Sequence, residues 1–308
     1  MSNPFSDTFP LALGGNTFGW TSDEETSHAV MDAFVASGGN HIDTADGYSA
    51  WVPGHSGGES EQIIGSWLAR RGNRDSVTVA TKVSTHPEYK GLSPANITAA
   101  AEASLERLGT DHIDLYYAHY DESERPMEEI AAAFDALVTS GKVLAIGVSN
   151  LSAARITEWM ETAEKNNLAA PIALQPHYNL LTREPFESEL APLAAQHGLG
   201  VFTYFSLAAG MLTGKYRKPA DFDGVDRSHT LGGYSSEQAF RIVDELADVA
   251  AEVDVAPASV ALAWVRSKPT VVAPIASART VEQLDALVAG ARLELTAEQV
   301  ARLDEVSA

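Results

Sequence analysis

A single closed (β/α)8 barrel, the TIM-barrel architecture, is the α/β fold this sequence predicts, on three observations. Eight short apolar, β-rich runs alternate with amphipathic helical stretches. No long linker, repeat or composition break divides the 308 residues. The turn after the first run reads Leu13-Gly14-Gly15-Asn16-Thr17-Phe18-Gly19. That does not fit the Gly-x-Gly-x-x-Gly spacing expected there in an open doubly wound sheet, the runner-up fold.

Strand one is read from Phe9 to Gly14. The first helix is started by Ser22-Asp23-Glu24-Glu25, carries Val30, Phe34 and Val35, and stops at Gly38-Gly39. Strand two runs from Asn40 to Ala45, with a helix from about Gly58 to Arg71. Strand three is Ser76 to Val83, and Ser93-Pro94 opens a helix that closes at Leu108-Gly109. Strand four, Ile113 to His119, precedes a helix from Met127 to Ser140-Gly141. Strand five, Val143 to Val148, precedes the helix Ser152 to Glu164. Strand six is Ile172 to Gln175, followed by a helix from Phe186 to His197, and strand seven is Gly200 to Tyr204. A Gly- and Asp-containing segment from Leu207 to Ser235 breaks the rhythm. Helices resume at 236–252 and 257–267, strand eight is Val271 to Ile275, and helices at 281–289 and 297–306 finish the chain.

Composition narrows the function. The chain is 45% hydrophobic and 20% charged, as expected of a protein with a large core. Its net charge of −21 repels nucleic acid and anionic membranes, so neither is an expected partner. There is no cysteine, hence no disulfide and no thiolate chemistry. Neither a transmembrane-length apolar run nor a signal peptide at Met1-Ser2-Asn3-Pro4 is seen, which points to a cytoplasmic protein. Neither a heptad nor an interface stripe speaks for an oligomer.

In such a barrel, chemistry belongs at the carboxyl ends of the strands. Those ends carry Asp43 and Tyr48, Lys82, His119, Ser149-Asn150, Gln175 and Tyr204. Lys82 follows Val77, Val79 and Ala80 on a strand that should be buried, so its ammonium needs a carboxylate or must lose its proton. Asp43 on the adjacent strand is the natural partner. A lysine cation beside a phenol favours phenolate, which would lower the pKa of Tyr48 and suit it to general acid catalysis. His119 offers a donor to a substrate oxygen. The quartet suits protonation of a carbonyl oxygen as hydride reaches its carbon. Plainer roles stand beside this one: an ion pair that only braces the barrel mouth, and a histidine satisfied at a strand end. Lys82 as a Schiff-base lysine is a third reading. No His-x-His or His-Glu-x-x-His pattern suggests a metal.

Several motifs, in order and at matching spacing, carry a resemblance. They are Leu11 to Gly19, His41-Ile42-Asp43-Thr44-Ala45 with Tyr48, Gly58-Glu59-Ser60-Glu61 and Ala80-Thr81-Lys82. Then come Leu105 to Tyr116, Gly147-Val148-Ser149-Asn150, Gln175-Pro176, Gly210 to Tyr216 and Pro274 to Arg279. The chain resembles the aldo-keto reductase superfamily from end to end. The resemblance implies an NADPH-dependent carbonyl reductase, with NADH the lesser alternative, acting on a small aldehyde or ketone. It implies a catalytic tetrad of Asp43, Tyr48, Lys82 and His119, in which the tyrosine donates the proton, the Lys–Asp pair tunes it and the histidine orients the carbonyl.

For the cofactor, the resemblance implies contacts from Gly15, Asn16 and Asp43, and from Ser149, Asn150 and Gln175 at the carboxamide. Tyr204 would stack on the nicotinamide. Phe205, Ser206, Leu207, Ala208 and Gly210 would cross the pyrophosphate with Lys215 and Arg227 as basic partners. Ser277, Arg279 and Gln283 would hold the adenosine end, with Arg279 on a 2′-phosphate. Trp20 and Trp51 would make the pocket above Tyr48 and His119 aromatic. Three departures stand out: Ala286 and Leu287 replace an acid and an Asn common in relatives, Phe205 replaces a small residue, and the loop Ser49 to Gly57 is long. The segment Leu207 to Ser235 reads as a glycine-bearing loop closing over the cofactor, and related barrels that bind ion channels leave open a cofactor-sensing subunit with little turnover.

Overall fold

The computed structural model describes residues 5–222 and 231–308; Met1 to Pro4, Gly224 and Arg227 lie outside the described residues. Eight parallel strands close into a barrel in chain order. They are β1 (Ala12–Gly14), β2 (His41–Asp43) and β3 (Thr78–Val83), then, after a hairpin of β4 (Thr85–His86) and β5 (Tyr89–Lys90), β6 (Ile113–Ala118). β7 (Val143–Ser149), β8 (Ala173–Gln175), β9 (Gly200–Thr203) and β10 (Val271–Ala276) complete the ring, with Ala12 opposite Ile275 at the seam. The fold is the expected (β/α)8 barrel.

Six of the regular strands are shorter than the apolar runs that encode them, while β7 and β10 each run one residue further. Past the end of β2 the ladder continues irregularly. Thr44 N–H donates to the Ala80 carbonyl at 2.8 Å and Asp46 N–H to the Lys82 carbonyl at 3.1 Å. The β2 chain therefore stays tied to β3 as far as Asp46. Helix starts follow the expected signals. Asp23 accepts from Thr26 N–H ahead of Glu24–Ala36, and Ser93 accepts from Asn96 N–H ahead of Pro94–Leu108, which ends on Gly109 at φ 63°. The stretch expected as one helix from Phe186 opens instead as a π-helical turn over Phe186–Leu190 before Ala191–His197, where Pro192 lacks the N–H for a regular first turn.

The barrel interior alternates small and large. Ala12, Ala80, Ala173 and Ala273 leave room for Leu115, Tyr117, Phe202 and Ile275. Gly147 belongs to this layer, since a Cβ there would stand 2.3 Å from the Tyr117 ring. A second core lies between the strands and the helices, holding Met31, Phe34, Trp67, Phe134 and Trp159. Over its described part, the segment after β9 carries local structure and buried side chains. Short 3-10 turns cover Ala208–Thr213 and Pro219–Phe222, and Met211, Leu212, Tyr216, Phe222 and Leu231 are buried. Gly214, at φ 78°, passes so close to Pro257 that a Cβ would sit 2.9 Å from its ring. Among the described residues no helix is long and apolar enough to cross a membrane.

Candidate active site

Lys82, near the end of β3, is fully buried, and all three of its N–H bonds have acceptors. They go to Asp43 Oδ2 at 2.6 Å, the Thr44 carbonyl at 2.6 Å and the Tyr48 hydroxyl at 3.3 Å. Burial alone would push the ammonium's pKa down. The Asp43 charge and Tyr48 more than offset that, so Lys82 is held above its ordinary value and stays a cation. Asp43 spends its other oxygen on Gln175 Nε2, at 2.8 Å.

One expectation needs correction. Lys82 does pull the Tyr48 phenol down, but burial is the larger influence and Asp43 adds to it, so the net direction is upward. The phenol is held protonated. Because its oxygen accepts from Lys82, its own proton is left to donate outward. His119, half-buried across the mouth with its ring 6.2 Å from that of Tyr48, is pushed well below its ordinary value by burial and by the Lys82 charge, and is therefore neutral. Trp51 lies 6.3 Å from Tyr48 and meets Trp20 edge-on at 5.5 Å, so both tryptophans are gathered at the same rim.

The next strand ends form a connected polar set. Ser149 Oγ donates to the Gln175 carbonyl at 2.9 Å. Asn150, in the left-handed region at φ 55°, donates to the His119 carbonyl at 2.9 Å and accepts from the Tyr204 hydroxyl at 2.7 Å. Phe205 is exposed, with φ 52°; Ala208 is also left-handed, at φ 49°, and Gly210 has φ 102°. Ser206 is buried, its hydroxyl donating to the Thr203 carbonyl at 2.9 Å, and Leu207 is half-buried beside it. Lys215 folds back so that its Nζ is within 3.8 Å of where a Cβ on Gly210 would be, and no carboxylate among the described residues pairs with it. At the other side of the mouth Asn16 accepts from Ser277 at 2.5 Å, beside buried Gly15. Arg279 is exposed with its backbone fixed at both ends, its N–H donating to Gln283 Oε1 at 3.0 Å and its carbonyl accepting from Ser22. Gln283 is thus spent partly on the loop. Arg227 lies outside the described residues.

Sequence reasoning missed several neighbours. Asp46 is fully buried, and its carboxyl meets Ser84 and Thr85. His177 stacks on one face of Tyr204 at 5.2 Å, and its Nε2 contacts the Tyr234 hydroxyl at 2.9 Å. Tyr120 is half exposed, its ring 4.9 Å from that of His119. An acid three places after Asp43 was a visible signal, whereas the contacts of Thr85, His177 and Tyr234 exist only in the folded chain.

Comparison with known proteins shows the family. Residues 10–308 match the Aldo/keto reductase family. The chain is 36% identical over 306 residues to the uncharacterized oxidoreductase YrpG of Bacillus subtilis, spanning 96% of this chain and 91% of that one. It is 35% identical over 277 residues to a probable voltage-gated potassium channel subunit beta of Oryza sativa, spanning 87% and 82% of the two chains. Norsolorinic acid reductase stcV of Emericella nidulans is 32% identical over 314 residues, spanning 96% and 77%. With the barrel matched from residue 10 to residue 308 and relatives aligned over most of their length, the chain belongs to the aldo/keto reductase family, oxidoreductases that use a nicotinamide cofactor.

Proposed function

We propose that this chain, as a cytoplasmic enzyme, reduces an aldehyde or ketone to the alcohol with NADPH, and that Tyr48 supplies the proton. The observation that carries this reading is the commitment of all three Lys82 protons, the third of them to the Tyr48 oxygen. That arrangement keeps lysine from acting as a nucleophile and turns the phenol into an outward-facing donor. As the carbonyl carbon gains hydride, its oxygen gains negative charge and takes the Tyr48 proton, and Lys82 stabilises the phenolate left behind. Neutral His119 orients the same oxygen. Trp20 and Trp51 surround it with apolar surface, which favours a hydrophobic carbonyl compound.

The residues fit a nicotinamide dinucleotide. Neutral amides and hydroxyls of Ser149, Asn150 and Gln175 suit a carboxamide, and the Tyr204 ring suits stacking. Lys215 is exposed cationic charge without a carboxylate partner among the described residues of an acidic chain, which suits phosphate. Arg279 is our candidate for a 2′-phosphate, and it is the basis for naming NADPH ahead of NADH. NADPH bound here would supply the hydride.

Fluorescence titration with NADPH and NADH, followed by turnover on a panel of aldehydes and ketones, tests the reading, with Tyr48→Phe as the decisive variant. Its kcat should fall about 10²–10⁴-fold while NADPH affinity stays near that of the parent. Near-normal kcat would remove Tyr48 as the proton donor. The similarity to a potassium channel subunit supports a second reading, a cofactor-binding subunit; tight NADPH binding with no turnover on any carbonyl would favour it.

A further inference from the structure

Asp46 is a carboxyl group for which proton transfer by Tyr48 has no use. It is fully buried two residues before Tyr48. One of its oxygens accepts from Ser84 N–H at 3.4 Å, and the other accepts from the Thr85 hydroxyl at 3.1 Å. The same hydroxyl lies 3.4 Å from His119 Nδ1. Two backbone features press Thr85 into this position. Ser84 turns the chain out of β3 at φ 117°, and Gly47 has no room for a side chain, since a Cβ would stand 2.5 Å from Thr85 Oγ1 and 3.0 Å from its carbonyl carbon.

A hydroxyl has one proton, so Thr85 can relay in only one direction at a time. An ionised Asp46 only accepts; Thr85 then gives it the proton and can only accept from His119. That selects the Nδ1–H tautomer and leaves Nε2 bare. A protonated Asp46 keeps the oxygen facing Ser84 as an acceptor and carries its proton on the oxygen facing Thr85. Thr85 then turns to donate to Nδ1, and the ring proton moves to Nε2, the nitrogen left to meet a substrate oxygen.

We propose that Asp46 is a positioning residue that acts through Thr85 to choose which nitrogen of His119 carries the proton, its protonated form loading the Nε2–H donor. The role of that donor rests on the reductase reading above.

The surroundings of Asp46 allow it to change state near neutrality. Burial, and after it the Glu61 charge, push it up to about 7, against the pull of Thr85, Ser84 and Arg107. Glu61 faces it from the helix Glu59–Arg71 but is bonded to Arg107 of Pro94–Leu108 and to the Thr81 hydroxyl, at 2.6 and 2.5 Å. Tyr116 of β6 faces it as well, its phenol pushed well up by its own burial and by the Asp46 charge. Asp46 itself has no cationic partner among the described residues. His119 is neutral throughout, so its tautomer is the free variable.

Long-range 1H–15N spectra of histidine-labelled protein, with His119 assigned through His119→Gln, read the tautomer directly from about pH 5.5 to about 8.5. The parent should pass from Nε2–H to Nδ1–H with a midpoint near pH 7. Asp46→Asn should stay Nε2–H at every pH, because Ser84 N–H holds the amide oxygen and turns the NH2 group toward Thr85. Thr85→Val should lose the pH response, and kcat for reduction in the parent should fall through the same midpoint while Asp46→Asn stays flat. A parent tautomer that ignores pH, or a response that persists in both variants, overturns the proposal. The spectra need no turnover, so a pH-linked tautomer in a chain that reduces no carbonyl would uphold the coupling and sink only the reductase reading.

Discussion

At the amino-terminal end of the barrel, rings fill the space; at the carboxyl end, hydrogen bonds do. Phe5 meets Phe202 edge-on at 5.1 Å, and His41 stacks on the same ring at 4.7 Å. Neither His41 nitrogen has a partner among the described residues, and burial with the Lys82 charge pushes its pKa down to about 3, so this histidine packs as a neutral aromatic. Two residues further along β2, Asp43 is just as buried, yet both of its oxygens are bonded. Backbone conformation divides in the same way. Of the described residues other than glycine that have positive φ, Ser49, Ser84, Asn150, Phe205, Ala208 and Ala209 lie past the carboxyl ends of strands, while Asn167 and Asp254 lie outside the barrel. The lower half is built for packing, and the upper half tolerates buried charge and backbone strain to fix donors and acceptors in place.

The largest test of that division is Phe202→Ala. It removes a fully buried ring on which both Phe5 and His41 pack. Large-to-small changes of this kind cost about 3–5 kcal/mol, to be read from urea unfolding. The ring contacts of Phe202 among the described residues are to Phe5 and His41, not to Tyr48 or His119, so kcat on a good carbonyl substrate should stay within a few-fold of the parent. A collapse of kcat in protein that is still folded would show that the two ends are mechanically one.

Much of the upper end was legible in the sequence because strand ends are countable. Once the period placed Asp43, Lys82, His119, Ser149, Gln175 and Tyr204 at the ends of successive runs, their convergence followed from barrel geometry alone. What depended on depth was not legible. The sequence showed Lys82 near Tyr48 but not how far the phenol was desolvated, and the sign of its pKa shift turned on that burial. Asp46 read as a loop residue because Asp-Gly usually marks a turn; here its N–H still bonds to the Lys82 carbonyl, which draws the carboxyl inward. Thr85 and His177 depend on contacts 34 and 57 residues away, with His119 and Tyr234, and no local pattern encodes those.

Asp46→Asn sharpens the comparison through pH. The folded value of about 7 lies above the unfolded value near 3.8. The stabilising contribution is therefore complete below about pH 4 and is lost as pH rises through about 7. The parent should be less stable than Asp46→Asn at pH 8, by at most about 4 kcal/mol, and the gap should close toward pH 4. Urea unfolding at the two pH values measures this. The same difference at both would mean that Asp46 does not hold a proton in the folded chain.

Ser84→Gly carries the smallest expected effect and bears most directly on strain. A serine at φ 117° occupies backbone space that glycine enters freely, and such positions cost roughly 1–3 kcal/mol. Glycine returns about 0.5–1 kcal/mol of that through the greater freedom of the unfolded chain. The Ser84 hydroxyl also accepts from Tyr120 N–H at 3.2 Å, and losing that bond beside a half-exposed residue costs about 0.5 kcal/mol. The balance favours a modest gain in stability, on the order of 1 kcal/mol. Activity should move the other way, because Ser84 is the joint that holds Thr85 against Asp46 and His119; kcat should drop while cofactor affinity holds. A variant that loses stability would mean that the turn after β3 is relaxed in the native chain, and that the upper end of the barrel stores less strain than its dihedral angles suggest.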